Sequence, residues 1–492
     1  MAKYISFLVF LVFLMACQKT EGIYDNIANE NLELPLLLRL NRKNCVFDSH
    51  NRILKYSIDE NSINNFSPYV EFQRHSNITL ESIKLTNGTV NNFGNIELNK
   101  AYRVIINTGN RTDEFTLFFT KIPTIQIVTA NPIINGPKTL SRMILNYPEI
   151  RRISENNWTG IEQRGSSSLR YDKKSFGIKI YSDKSKDSPS SQSYFDFKQN
   201  QKWILDAMFV DQSRLRNKSS FELWKSMSGP ANHIGIDSRF VEVYINHQTL
   251  GVYSFSENYT KEFLDANDQC VLYAGTDNSS QTEFETLIEK DPNSRFWGDW
   301  EQKLPNPSQE IVWDDFEALN TLIVNSSNSE FKNTIAHHID LNNVIDYFLF
   351  INLIGGRDNV GKNWFFFKRD HLSKFNIIPW DMDGTWGRSP FAEKTSYSVL
   401  ITNNLFKRLL ETDPANYKLR LKERWKELRL AEFSESNLNG IIASNFAELD
   451  SYKVEGLENN LWKVNLNLKN EQFYMATWVS NRLEFLDERF EY

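Results

Sequence analysis

A chain of 492 residues, 40% hydrophobic and 24% charged, is long enough for two or three domains and has the composition of a folded, soluble body. The net charge of −6, with both signs interspersed, gives no support to a nucleic-acid-binding surface. With three Cys, one of them at position 17, neither a disulfide framework nor a zinc site is expected.

The N-terminus carries Lys3, then an apolar run from Ile5 to Ala16 that is too short to span a bilayer. It ends in Leu14-Met15-Ala16-Cys17. Small residues just before a Cys resemble a bacterial lipobox, so residues 1–17 read as a lipoprotein signal peptide with Cys17 as the lipidated residue. The expected location is the cell envelope, on the outer membrane or cell surface, with the body tethered outside the cytoplasm by lipid. Residues 18–32 read as a polar tether.

From 33 to 127 come short alternating runs separated by turn residues. Ile53–Ile58, Tyr102–Ile106 and Glu114–Phe119 are the clearest, and Asn107–Asn110 joins the last two as a hairpin. About 100 residues of this kind predict a small all-β, immunoglobulin-like sandwich with a spacing or adhesion role. Ile122 to Pro137 leads into a larger unit at 138–492, and the whole is expected to be α+β. Its first half should be strand-rich, with Trp158–Ser168 and Ser175–Ile180 as strands. A helix is expected over Asp211–Met227, capped by Asp211 or Ser213. Phe240–Ile245 and Gly251–Phe255 should form a hairpin about Asn246-His247-Gln248. Helices are expected at Leu341–Leu353, Leu405–Leu430, Asn437–Tyr452 and from Gln472 to the end.

The chemistry concentrates in one stretch, Arg357-Asp358-Asn359-Val360-Gly361-Lys362-Asn363 followed by Ile378-Pro379-Trp380-Asp381-Met382-Asp383-Gly384. Trp364–Phe367 and Phe375–Ile378 are aromatic and β-branched runs that predict a buried hairpin. A hairpin brings its outer ends together, so Asp358 and Asn363 should face Asp381 and Asp383. Carboxylates gathered this closely repel unless a cation or a shared proton compensates, and the expected occupant is Mg2+ or Mn2+. Asp with Asn five positions on, a hairpin and an acidic Asp-Gly loop form an order that phosphoryl transfer can use. Taken one at a time, each acid reads as a turn cap; the cluster reads as function.

Several short motifs in one order extend this pattern. Arg164-Gly165-Ser166-Ser167-Ser168, Lys173-Lys174-Ser175-Phe176, Asp211 with Arg216-Asn217, Val241–Asn246, Gly251-Val252-Tyr253 with Glu257, Asp358-Asn359 with Lys362-Asn363, and Pro379–Asp383 with Gly387 resemble the CotH family, the spore-coat H kinases, over about residues 140–430. The resemblance implies an atypical, two-lobed protein-kinase-like fold that transfers phosphate from ATP, with Mg2+ or Mn2+, to Ser of a protein substrate. It implies Asp358 as the catalytic Asp, Asn363 and Asp381 as metal ligands with Asp383 in support, and Glu257 at the hinge beside adenine. Arg164, Lys174 and Lys179 become candidate phosphate contacts, and which of Lys173, Lys174 and Lys179 points inward stays open. No Gly-x-Gly-x-x-Gly loop is present, and Gly356 stands where a typical kinase has His.

Three functions follow from these readings. The first is a lipid-anchored CotH-like kinase acting on an envelope or surface protein. The second is a catalytically inactive surface-binding or adhesion lipoprotein on the same fold. The third, a glycan-directed lipoprotein, lacks an identifiable acid/base pair.

Overall fold

The computed structural model describes residues 32, 36–109, 111–149 and 154–491. Residues 1–17, expected to be a signal peptide ending at Cys17, and nearly all of the expected tether at 18–32 lie outside the described residues. Among those residues the chain is α+β, and no helix is long and apolar enough to cross a membrane.

Contacts divide the chain into two units. The first comprises Met1–Pro132, Thr139–Trp158 and Val243–Leu250; the second comprises Ile133–Lys138, Thr159–Glu242 and Gly251–Tyr492. The first unit contains no α-helix among its described residues. One sheet has four short strands, ordered Lys43–Asn44, Arg39–Leu40, Tyr69–Glu71 and Thr89–Val90. The other has six, ordered Val46–Asp48, Ile53–Ser57, Arg111–Thr120, Tyr102–Thr108, Ser76–Leu80 and Ile83–Lys84. Alternation along Arg111–Thr120 sends Phe115, Leu117 and Phe119 inward, and they share one core with Leu40 and Val70 of the smaller sheet. The 102–108 and 111–120 strands pair antiparallel, as the sequence predicts.

In the second unit the strands Ser175–Tyr181 and Lys202–Asp206 pair antiparallel, with Phe176 opposite Leu205 and Lys179 opposite Lys202. Lys202–Asp206 in turn pairs with the end of Gln248–Ser256. A strand ends at Arg164 rather than continuing to Ser168, because Gly165 adopts φ +104° and turns the chain into a 3-10 turn at Ser167–Arg170. The helix expected from Asp211 begins only at Arg216, since Arg214 sits at φ +62°. Asp211 still caps it from outside: its carboxylate accepts from the Ser213 and Arg216 amides, each at 2.8 Å.

A five-stranded antiparallel sheet carries the stretch of interest. Its order is Phe296–Trp297, Trp300–Leu304, Val271–Gly275, Trp364–Lys368 and Asn376–Pro379. The last two form the expected hairpin, with Trp364 opposite Pro379 and Phe366 opposite Ile377. Helix Leu341–Ile354 is almost wholly buried and leads into Arg357-Asp358. The helix expected over Leu405–Leu430 is two, Asn404–Thr412 and Tyr417–Leu430, broken where Asp413 takes φ +53° before Pro414. Helices Glu435–Ser451, Val454–Trp462 and Leu468–Phe490 complete the unit.

Candidate functional site

The hairpin's outer ends are fastened by a buried amide. Asn359 Nδ2 donates to the carbonyls of Asn363 and of Trp380, each at 2.8 Å, and the Trp380 amide donates to the Asn363 carbonyl at 2.9 Å. The Tyr347 hydroxyl donates to the Asn359 carbonyl at 2.8 Å, and Asn403 donates to that of Val360 at 2.8 Å. A neighbouring strand approaches closely as well. The Asn363 amide donates to the Gly275 carbonyl at 3.2 Å, and a Cβ on Gly275 would lie 2.4 Å from the carbonyl oxygen of Gly361. Asn363 and Asp381 both take left-handed φ, +58° and +48°, a conformation that Asn and Asp tolerate better than most residues.

With its ends fixed, the hairpin delivers Asp358, Asn363, Asp381 and Asp383 to the wall of one cavity of about 260 Å3. Arg164, Asp206 and Lys362 line it too. Lys362 Nζ lies 3.1 Å from Asp358 Oδ2. Partial burial opposes the Lys362 charge, yet Asp358, and beyond it Asp381 and Asp277, hold the ammonium above its ordinary value. Asn363 Nδ2 donates to the Asp381 carbonyl at 3.3 Å, leaving the amide oxygen as the atom suited to a cation.

Asp381 opens to solvent along the concave wall, but the protein mass around it disfavours its charge. Burial and the nearby Asp206 push its carboxyl up to about 6, with Asp358 adding to the effect and Arg164 and Lys362 opposing it. Asp383 is driven well above the carboxylate range by burial, then by Asp381, Asp206, Asp211 and Asp358. Among the described residues, no three acidic, His or Cys side chains converge into a metal cage by themselves. The donors that are present are all oxygen. They suit a hard cation held by one or two carboxylates, with water and phosphate completing its shell.

The loop bearing Asp381 and Asp383 is held from the Arg216–Ser226 helix. Asn217 Oδ1 accepts from the Met382 amide at 3.0 Å, and Trp386 Nε1 donates to Ser220 Oγ at 2.8 Å. Buried Arg216 donates to the Thr385 carbonyl at 2.8 Å and pairs with both Asp211 and Glu471. Its role here is to position that loop.

A second cavity, of about 530 Å3, shares Arg164 and Trp380 with the first. Tyr259, Phe365 and Trp380 line it as mutually packed rings, and Lys179 and Lys202 stand on its wall. Arg164 joins the two cavities, its guanidinium carbon 6.0 Å from the Trp380 ring centre.

The remaining expected contacts lie elsewhere. Lys174 lines neither cavity, because its ammonium is taken up by the carbonyls of Leu169 and Tyr171. Lys173 is fully buried, 2.8 Å from Glu458 of the Val454–Trp462 helix. Glu257 is buried and accepts from the amides of Lys198 at 2.7 Å and Asp237 at 2.8 Å, while the backbone beyond it, Asn258 to Thr260, lines the larger cavity. Burial raises the Glu257 carboxyl to about 7 against those two hydrogen bonds. Sequence reasoning missed Asp206 and Asn278, and named Asn217 only within a motif, without its hold on the Met382 amide. Asp206 had a signal, since it ends the apolar run Trp203-Ile204-Leu205 just as Asp381 follows Ile377–Trp380.

A family model described as CotH kinase protein matches residues 161–486. The inner spore coat protein H of Bacillus subtilis (strain 168) is 22% identical over 339 residues, covering 67% of this chain and 86% of that protein. Among solved structures, the Helicobacter pylori proinflammatory kinase CtkA aligns with a TM-score of 0.29 and 11% identity, covering 61% of this chain and 93% of that one.

Proposed function

The chain belongs to the CotH kinase protein family, and from that footing we propose that it transfers the γ-phosphate of ATP to a Ser hydroxyl of an envelope or surface protein. The observation that carries this reading is the convergence of Asp358, Asn363 and Asp381 on one cavity wall, with the Asp381 carboxyl displaced to about 6.

In this reading the kinase-like body has two lobes, and the nucleotide lies along both cavities. Its base packs among Tyr259, Phe365 and Trp380, and its phosphates pass Arg164 into the acidic cavity. Asp381 and the Asn363 amide oxygen, supported by Asp383, would hold Mg2+ or Mn2+, which supplies charge neutralisation for the transferring phosphoryl group. Asp358 orients the acceptor hydroxyl and takes its proton as the Ser oxygen bonds to the γ-phosphorus and the bond to the departing ADP breaks. Lys362, paired with Asp358, faces the charge that spreads over the phosphoryl oxygens. The all-β unit, read as immunoglobulin-like, gives reach, and the lipobox-like Leu14–Cys17 supports anchoring at the outer membrane or cell surface.

Melting of the mature protein, with ATP and Mg2+ added separately and together, tests the binding half of this reading. Stabilisation that needs both components and is lost in Asp381→Ala is the expected result. Indifference to nucleotide and metal would favour a catalytically inactive surface-binding protein instead.

A further inference from the structure

The catalytic-loop acid is held from a distant part of the chain. After the buried strand Val271–Gly275 the backbone enters the segment Thr276–Glu285, whose exposed Asn278 reaches the Asp358 loop. Asn278 Nδ2 donates to Asp358 Oδ1 at 3.1 Å, while Asn278 Oδ1 accepts from the Lys362 amide at 3.1 Å. Lys362 Nζ already occupies the other oxygen, Asp358 Oδ2, at 3.1 Å. Each carboxylate oxygen therefore has one protein donor, and the plane of the group is set by two residues that lie 84 positions apart.

The approach is built into the backbone on both sides. A Cβ at Gly361 would stand 2.6 Å from Asn278 Oδ1, so the loop admits this side chain because position 361 has none. The segment carrying Asn278 is itself braced. Thr282 Oγ1 donates to the Asp277 carbonyl at 2.7 Å, and Asn404 donates from Nδ2 to the Phe284 carbonyl at 2.6 Å and from its amide to that of Glu283 at 3.1 Å. A donor on a braced loop fixes a carboxylate's direction at little entropic cost when the substrate arrives.

We propose that Asn278 is a positioning residue for Asp358, an inference that rests on the phosphotransfer reading above. Its amide NH2 aims the carboxylate at the acceptor hydroxyl, and its amide oxygen keeps Lys362 in register beside it. The two halves of the side chain can be separated. Asn278→Asp keeps an acceptor for the Lys362 amide but loses the donor to Asp358 and places a second carboxylate beside it. Asn278→Ala loses both.

The test pairs steady-state phosphate transfer, in which kcat and the nucleotide KM are measured separately, with a melting double-mutant cycle on Asn278→Ala and Asp358→Ala. The expected kcat falls at least tenfold in Asn278→Ala and further in Asn278→Asp, with the nucleotide KM within twofold of wild type. The melting shift of the double variant should differ from the sum of the single shifts. Wild-type kcat in Asn278→Asp, a matching change in nucleotide KM, or an additive cycle would overturn the proposal. Absence of Asp358-dependent transfer in the wild type, with a non-additive cycle, would instead sink the phosphotransfer reading. In that case it would also reduce Asn278 to a structural partner of Asp358.

Discussion

Lys362 Nζ stands 3.1 Å from Asp358 Oδ2, and one side chain thereby neutralises the acid while pointing along the same cavity wall as Asp381 and Asp383. In the proposed phosphoryl transfer a cation here would face the phosphate oxygens as their charge redistributes. Lys362→Met is expected to lower kcat by about 10²-fold, the scale of one lost electrostatic donor, with little change in nucleotide affinity. Lys362→Arg should recover part of the rate. Steady-state kinetics on the three proteins decides the point.

The crowded carboxylates set a pH dependence. Asp381 titrates near 6 in the folded chain, above the ordinary 3.8, so between those values the folded state binds more protons than the unfolded state. The metal-free protein should therefore lose stability as pH rises from about 4, and Asp383, driven well above the carboxylate range beside Asp381, carries the loss past about 6. Glu257, raised to about 7, extends the same trend to neutrality. Mg2+ competes with the protons of Asp381 and Asp383, so its affinity should rise as pH increases from 4 to 8. Melting scans from pH 4 to 8, with and without Mg2+, test both signs. In Asp381→Asn the stability loss between pH 4 and 6 should shrink and the Mg2+ effect vanish.

Lys173 and Glu458 form a pair with no solvent access, 2.8 Å apart, and Arg214 approaches the same carboxylate at 3.4 Å. Burial brings the Lys173 ammonium down to about 8 even with Glu458 beside it. Removing Glu458 strands both buried cations, so Glu458→Ala should cost about 3–5 kcal/mol in urea unfolding, and Lys173→Ala less, because Arg214 stays beside Glu458. Replacing both, as Lys173→Met with Glu458→Leu, should cost less than the two single changes together.

Gly275 is a steric prediction. A Cβ there would meet the Gly361 carbonyl oxygen at 2.4 Å, and a backbone atom cannot swing aside as a side chain can. Gly275→Ala should displace the 361–363 segment and reduce transfer, whereas metal-dependent nucleotide binding should fall less. Crystallography of the variant would show whether Asn363 has moved from Asp381.

The hairpin was legible because aromatic and β-branched runs flank a short polar loop, and pairing such runs brings Asp358 and Asn363 beside Asp381 and Asp383. The direction of single cations was not legible. Lys173, Lys174 and Lys179 share a basic stretch, yet one is buried on Glu458, one caps a turn and one lines the larger cavity. Their partners lie on the 454–462 helix and in the 169–171 turn, which no local pattern specifies. Helix ends were misplaced where left-handed φ intervenes, at Arg214 and at Asp413. The strand Val271–Gly275 escaped notice because it is buried at every position and shows no alternation. With it went Gly275 and Asn278, which brace the loop of Asp358.

The most direct measurement of the central claim is transfer of labelled γ-phosphate from ATP to a Ser-bearing protein, or to the chain itself, with Mg2+ or Mn2+. The account predicts metal-dependent labelling of Ser that falls at least about 10³-fold in Asp358→Ala and disappears in Asp381→Ala. Labelling that persists unchanged in either variant would contradict it.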